Sequence, residues 1–418
     1  MYRSAFFYGV GMPSFQQAQS IILESVNPLP ATTVSLLDAV SMVACETVPA
    51  GWDLPTFDNS AMDGYAVRAA ECESGRELAV AGSVMAGDRY GQSLPPFTAV
   101  KIMTGAAVPD DCDAVIPFEE ILLEAPESIT VPAGVKKGQH IRFTGEDVRS
   151  GETVVSPGTV IRAAEVSMLA ATGITTVNVF RRVRVAILST GDELVEVGAD
   201  IPAGGIINSN SPALAAAVLE AGGEPVMLGI ARDNRESLRE KVTAGLGCDV
   251  LVTSAGVSAG ERDLVRQVLA EVGVKPVFWK VDLKPGGPTA FGLKGATPVF
   301  SLPGNPVSSL LTFEEFVRPA LLKMMGHKRV FRPAFKGILD EEIHKKAGKA
   351  SLLRIKVLRD GDFFRIRSAG NQQTGLQKTL LHADAVALLS ADSSFFAVGE
   401  KVPFHFLADS AMLAEEGC

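Results

Sequence analysis

Between Val183 and Lys323, short apolar runs alternate with amphipathic stretches, and this alternation constrains the fold more than any other feature of the chain. Val183–Ser189, Pro225–Ile230, Asp249–Ser254, Val277–Leu283 and Val299–Leu302 read as strands. Pro212–Ala221, Glu236–Leu246 and Asp263–Val272 carry helical spacing, and a long helix opens at Asn305. Parallel strands need crossovers long enough to hold a helix, so the pattern predicts a doubly wound parallel α/β sheet. Ligands of such sheets bind at the carboxyl ends of the strands.

The flanking regions have a different texture. Ser14-Phe15-Gln16-Gln17 is a capping-box pattern ahead of a helix that Asn27-Pro28 ends. Ser35–Glu46 repeats apolar positions at helical spacing and reads as a second helix, and Ala163–Ala171 as a third, with Gly173 as its C-terminal cap. From Leu54 to about Ile141, β-branched runs (Leu78–Val84, Ala99–Met103, Ala114–Pro117) alternate with Gly and Pro, as in a small β-rich module. After Pro333 the chain is strand-like, with turns at Asp360-Gly361 and Gly399-Glu400, and predicts a small β-barrel or sandwich.

Composition narrows the function classes. With 418 residues, the chain exceeds one ordinary core. A net charge of −9 argues against wholesale binding to nucleic acid or acidic membranes, yet permits a local basic pocket. The five cysteines form no CxxC pair, and no HExxH occurs, so neither a disulfide framework nor a protein-ligated transition metal is expected. No leader or membrane-length apolar run is evident, and a cytoplasmic location is the expectation.

Three segments carry chemistry. Val252–Asp263 runs from a buried strand through Gly256, Ser258 and Gly260 into a helix. Small residues there let backbone N–H groups approach phosphate oxygens, although an ordinary tight connection has the same look. In Phe278–Pro288, Lys280 and Lys284 fall at even spacing, which on an extended chain puts both side chains on one face. They read equally as oxyanion ligands or as solvated strand-end lysines. Phe57–Tyr65 supplies Asp58 and Asp63 in a polar loop that suits a hard cation or a local Asx turn. Asp147, Glu193 and Asp233 are further acidic loop residues. Asn305 reads as a helix cap with Pro306 at the first helical position.

Read together, the strings PTFDNSAMDGYAV, KIMTGAAVP, GEDV, STGDEL, GVSAGERD, KVDLKPGGP and SLPGNPVSS resemble, in order and over nearly the whole length, the molybdopterin molybdenumtransferases, the family of MoeA and the gephyrin E domain. The resemblance implies four domains: a discontinuous N-terminal domain (1–50 and 142–180), an inserted β-rich module (51–141), an α/β molybdopterin-binding domain (181–328) and a C-terminal β-barrel (329–418). It implies insertion of molybdenum from molybdate into adenylylated molybdopterin with release of AMP and Mg²⁺ assisting. It also implies a homodimer whose active site crosses the subunit interface, and transient contact with the adenylyltransferase and molybdenum enzymes.

By the same resemblance, the catalytic positions are Asp63, Asp147, Glu193, Asp233 and Asp263, with Asp63, Asp233 and Asp263 offered to Mg²⁺. Substrate contacts fall to Thr104, Gly256, Ser258, Gly260, Lys280, Lys284, Arg354 and Thr374. The Ser258 loop would hold the pterin phosphate, while Lys280, Lys284, Arg354 and Thr374 would collect molybdate. The chain departs from the family in two strings. SGGVSVG has Ala255 and Ala259 here, and KPGKP has Gly287 in place of a lysine associated with the oxyanion. These departures leave room for a diverged paralogue, namely a tungstate insertase, a molybdopterin adenylyltransferase or a non-catalytic scaffold.

Overall fold

Ser14 starts the first helix as its sequence predicts. In the computed structural model, the Ser14 hydroxyl accepts the Gln17 N–H at 3.3 Å, and the Gln17 side chain accepts the Ser14 N–H at 2.9 Å. The helix runs Phe15–Ser25 and buries Phe15, Ala18 and Ile22 along one face. The structure describes residues 12–255 and 262–408, apart from the side chains of Arg262 and Asp263. The chain divides into two compact units, Thr33–Val179 and Met1–Thr32 with Phe180–Cys418.

The larger unit holds a six-stranded sheet in the order Glu224–Ala231, Arg184–Thr190, Val250–Ser254, Thr297–Leu302, Ala290–Lys294, Lys275–Phe278. Its first four strands are parallel, and the last two pairings are antiparallel. Alternate residues of each strand enter opposite cores. Val185, Ile187, Val250 and Val252 pack with the helices Phe15–Ser25 and Asn210–Glu220. Ala186, Leu188 and Leu251 pack with the helices Arg235–Gly245 and Arg262–Glu271. Helices therefore cover both faces of the sheet, the doubly wound arrangement expected.

The helical stretch after Asn305 is not uniform. Pro306–Thr312 and Arg318–Met324 are α-helical, and Phe313–Val317 between them is π-helical. Pro319 has no N–H to offer the Glu315 carbonyl one turn back. The Gln19 side-chain amide donates to that carbonyl instead, at 3.1 Å, and ties the N-terminal helix to the break. Glu315 is itself buried, and its carboxylate accepts from the His405 ring at 2.7 Å.

Beyond this stretch, five strands close into a barrel. Ala350–Asp360 pairs with Phe363–Ser368 and Ala385–Leu389, Phe335–Leu339 pairs with Phe363–Ser368 and Lys401–Phe406, and Lys401–Phe406 pairs with Ala385–Leu389. Closure leaves these strands without a free edge. Phe335, Phe364, Phe404 and Phe406 pack edge-on and tilted inside.

The smaller unit contains a six-stranded sheet in the order Ala114–Pro117, Gly64–Val67, Thr98–Ile102, Glu77–Val84, Ser128–Thr130, Leu123–Glu124. It also contains the helix Ala163–Ala171, ended as expected at Gly173 with φ 82°.

Two expectations fail. Ser35–Glu46 is not a helix. The Ser35 hydroxyl and Asp38 make a local turn, Ser41 sits at φ 67°, and Val43 and Ala44 bridge to Val160 and Val179. Ala39, Met42 and Ala44 are buried in the unit's core, so the apolar spacing reports burial there, not helical periodicity. Val277–Leu283 is not one strand either. The sheet strand ends at Phe278, and Leu283–Lys284 pairs in parallel with Ala350–Ser351 of the barrel. Lys280 and Lys284 therefore do not share a strand, and the even-spacing argument for a common face does not hold.

Candidate functional site

The carboxyl ends of three parallel strands open onto a cleft of about 950 Å³. Ser254 and Ala255 follow one strand, Pro303, Gly304 and Asn305 follow another, and Glu193 lies in the loop after the third. The Asn210 amide donates to the Ser254 hydroxyl at 2.7 Å and to the Gly304 carbonyl at 2.8 Å, which holds two strand ends together. Beneath them, Ser189, Asn208 and Ser211 form a buried hydroxyl–amide network. Glu193 is the sole charged side chain among the described lining residues. Gly191 has φ 144°, a backbone conformation that L side chains rarely adopt, so glycine suits the turn that leads to Glu193.

Ala255 occupies the strained corner of the cleft. Its φ is 72°, the left-handed region where an L-residue pays about 1–2 kcal/mol, so the alanine has kept the backbone course that glycine would take freely. Ser258, Gly256, Gly260 and Ala259 lie outside the described residues, as does the Asp263 side chain.

The barrel supplies the cations. Arg354 is 1% exposed. Its Nε donates to the Gln372 side chain at 3.2 Å, and Nη2 donates to the Asn371 carbonyl at 3.2 Å and the Gln373 carbonyl at 3.4 Å. Nη1 is buried with no partner, and no described carboxylate pairs with the group. Burial without an anion pulls its pKa below the usual arginine value. A guanidinium kept this way is unsatisfied by the protein itself and suits an anionic ligand. The same 371–374 loop presents Thr374, whose hydroxyl accepts from the Asn305 amide at 3.1 Å. Asn305 thus stands at the helix cap position without a side-chain cap bond, and it spans from the cleft to the barrel instead. The Gln377 amide makes a second span, to the Ser209 hydroxyl at 3.2 Å.

Sequence reasoning missed Lys349. Where the family's lysine would branch from residue 287, the Lys349 ammonium lies 3.9 Å from the position of a Cβ on Gly287. Parallel pairing of Leu283 with Ala350 and Lys284 with Ser351 brings these segments side by side. Lys280, Lys284 and Lys349 are all exposed, and none of the three is among the cleft's lining residues. The available signal was the matched string Gly348–Val357, where lysine stands at the family's arginine.

The acidic residues fall in separate places. In the larger unit, the Asp192 N–H donates to the Asp233 carboxylate at 3.2 Å and the Asp233 N–H donates to the Asp192 carboxylate at 3.1 Å. In the smaller unit, one oxygen of Asp63 accepts both the N–H of Thr104, at 2.7 Å, and its hydroxyl, at 2.8 Å. These bonds, the backbone one foremost, hold the Asp63 carboxyl below the usual carboxylate range. Asp147 is exposed beside Glu146 and Arg142 on a shallow surface of the same unit. Among the described residues, no cluster of three or more His, Cys, Asp or Glu is poised to hold a metal ion.

A parallel α/β sheet with a hydrogen-bonding cleft at its strand ends, beside a barrel whose 371–374 loop bonds both Asn305 of the cleft and the buried Arg354 of a barrel strand, has the layout of a small-molecule binding protein. Residues 13–173 match the model of the MoeA N-terminal region (domain I and II), and residues 186–323 match a probable molybdopterin binding domain. A molybdopterin molybdenumtransferase of Haemophilus influenzae is 35% identical over 404 residues, covering 95% of this chain and 100% of that protein. Molybdopterin molybdenumtransferase 2 of Mycobacterium tuberculosis is 36% identical, covering 82% of this chain and 87% of that protein. The crystal structure of a molybdopterin biosynthesis MoeA protein from Pyrococcus horikoshii superposes with a TM-score of 0.79 at 30% identity, covering 95% of this chain and 100% of that one. The chain belongs to the MoeA family.

Proposed function

We infer that this chain is a molybdenum insertase of molybdenum cofactor biosynthesis, acting on adenylylated molybdopterin and molybdate and releasing AMP. One observation carries the reading: the hydrogen-bonding cleft and the anion-starved Arg354 are joined through a single loop, by the Asn305–Thr374 bond. The cleft takes the pterin nucleotide through N–H and hydroxyl donors at strand ends. Arg354, Thr374, Lys284 and Lys349 take molybdate by charge and hydrogen bonds, and Lys349 supplies the charge that Gly287 lacks. Lys280, Asp263 and the Ser258 loop keep the roles the family resemblance implies.

Mg²⁺ fits the acidic residues in the manner usual for that ion, with one or two carboxylates completed by substrate phosphate. Asp192 and Asp233 are mutually held, and Asp63 is fixed through one oxygen, which leaves the other for an ion. Bound there, Mg²⁺ would neutralise charge on the pyrophosphate link. Glu193 at the cleft wall orients the pterin, and Asp147 acts from its exposed loop. We further propose a homodimer in which Asp63, Thr104 and Asp147 of one subunit complete the cleft of the other, and a cytoplasmic setting beside the adenylyltransferase and molybdenum enzymes. Among the described residues, no helix is long and apolar enough to cross a membrane.

The test is molybdate-dependent AMP release by purified protein given adenylylated molybdopterin. Release should rise with molybdate and saturate. Release that ignores molybdate, or ATP consumption with bare molybdopterin, would replace this reading with a hydrolase or an adenylyltransferase. Stronger competition by tungstate than by molybdate would reassign the oxyanion.

A further inference from the structure

A second cavity, of about 200 Å³, lies between the helix Arg262–Glu271 and the antiparallel edge of the α/β sheet. Leu269, Val274, Pro276, Phe291 and Val299 make its walls apolar. It shares no lining residue with the strand-end cleft, and nothing in the proposed chemistry uses it.

Two polar groups on its border lack partners among the described residues. The Trp279 indole N–H is buried with no acceptor, although buried indole N–H groups normally find one. Arg266 lies over the Trp279 ring with its guanidinium carbon 4.9 Å from the ring centre, and no described carboxylate pairs with it. The helix's own Glu271 is committed elsewhere, to Arg235 at 2.9 Å. An apolar hole rimmed by one cation with no described carboxylate partner is complementary to a ligand with an apolar body and one negative end. The volume is below the ~300 Å³ at the low end of usual ligand pockets, so a single ring or a branched chain fits and a pterin or nucleotide does not.

We propose that this cavity binds a small apolar monocarboxylate. The ligand's body lies against Phe291, Leu269 and Val274, and its carboxylate pairs with Arg266 at the rim. Stacking on Trp279 holds the guanidinium in place for that contact.

Phenylacetate is the probe, titrated into the full chain. The chain has two tryptophans, so its spectrum carries two indole N–H resonances, assigned with a Trp52→Phe variant. The Trp279 resonance should shift saturably, with a Kd of roughly a millimolar or tighter. Benzyl alcohol, neutral and of similar size, should bind at least about tenfold more weakly, and Arg266→Gln should weaken phenylacetate by a similar factor. Ala270→Leu, at an exposed position on the rim, should abolish the shift by filling the cavity mouth, and it keeps the test standing if Arg266→Gln does not fold. An unsaturable response, equal affinity for benzyl alcohol, or undiminished binding by a folded Arg266→Gln protein would each overturn the proposal.

Discussion

The strand-end cleft and the barrel beside it offer a ligand opposite kinds of group. The cleft is built from Ser254, Asn208, Asn210 and backbone, and its one charged described lining residue is the acid Glu193. The barrel offers full charges: Arg354, buried and short of one partner, and Lys349, exposed at the gap left by Gly287. The contrast suits two different ligands. A large nucleotide with many polar edges is held by many neutral contacts, each modest. A compact oxyanion, with no shape to grip, needs charge.

The sharpest way to break the comparison is Arg354→Met. If the charge sits on the barrel side, molybdate-dependent kcat/KM should fall at least about a hundredfold, the scale of losing one preorganised charged donor. Binding of the adenylylated pterin should hardly move. Stability should change little, because the buried guanidinium has no described carboxylate to offset its desolvation, while its bonds to Gln372, Asn371 and Gln373 are lost with it. Thermal unfolding and single-substrate binding assays check both statements. Lost pterin binding with intact molybdate response would invert the assignment.

Lys349→Gln should raise the molybdate concentration for half-maximal release by roughly tenfold, a smaller effect because the ammonium is exposed and solvated. Adding Gly287→Lys to that variant should restore most of the loss. In the otherwise native chain, Gly287→Lys should bring little gain, since its new ammonium would compete with Lys349 for the same space. Full benefit from Gly287→Lys alone would mean Lys349 does not stand in for the missing lysine.

The smallest effect concerns the cleft's scaffold. Ala255→Gly relieves a left-handed alanine at the cost of glycine's extra unfolded-state freedom, for a net gain of about 0.5–1 kcal/mol. Urea unfolding reads the gain, and the molybdate half-saturation should stay where it was. A destabilised glycine variant would show that Ala255 packs against Gly304 with more benefit than its backbone strain costs.

Much of this molecule is legible without coordinates. Period-2 and period-3.6 patterns are local, so the sheet strands and their helices fall close to where the apolar runs put them. Ser14 and Gln17 cap a helix because the bonds close within one turn. Gly191 and Gly173 mark turns for the same local reason. The residue types of the cleft, small and hydroxyl-bearing after a buried strand, also follow from neighbours in the chain.

Pairing across long separations is a different matter. Burial gives Ala39, Met42 and Ala44 the spacing of a helix, although the Met42 carbonyl accepts from Ile161 and the Ala44 N–H donates to Thr159. An apolar run near Lys280 and Lys284 cannot announce that its second half joins a barrel strand some 67 residues on, as Leu283 does with Ala350. Nor can composition say that an arginine will be buried with one amine unpartnered, or that Lys349 will stand beside Gly287. Hydrogen-bond partners and charge neighbours are set by which surfaces meet, and that meeting is decided by packing energy summed over the whole unit.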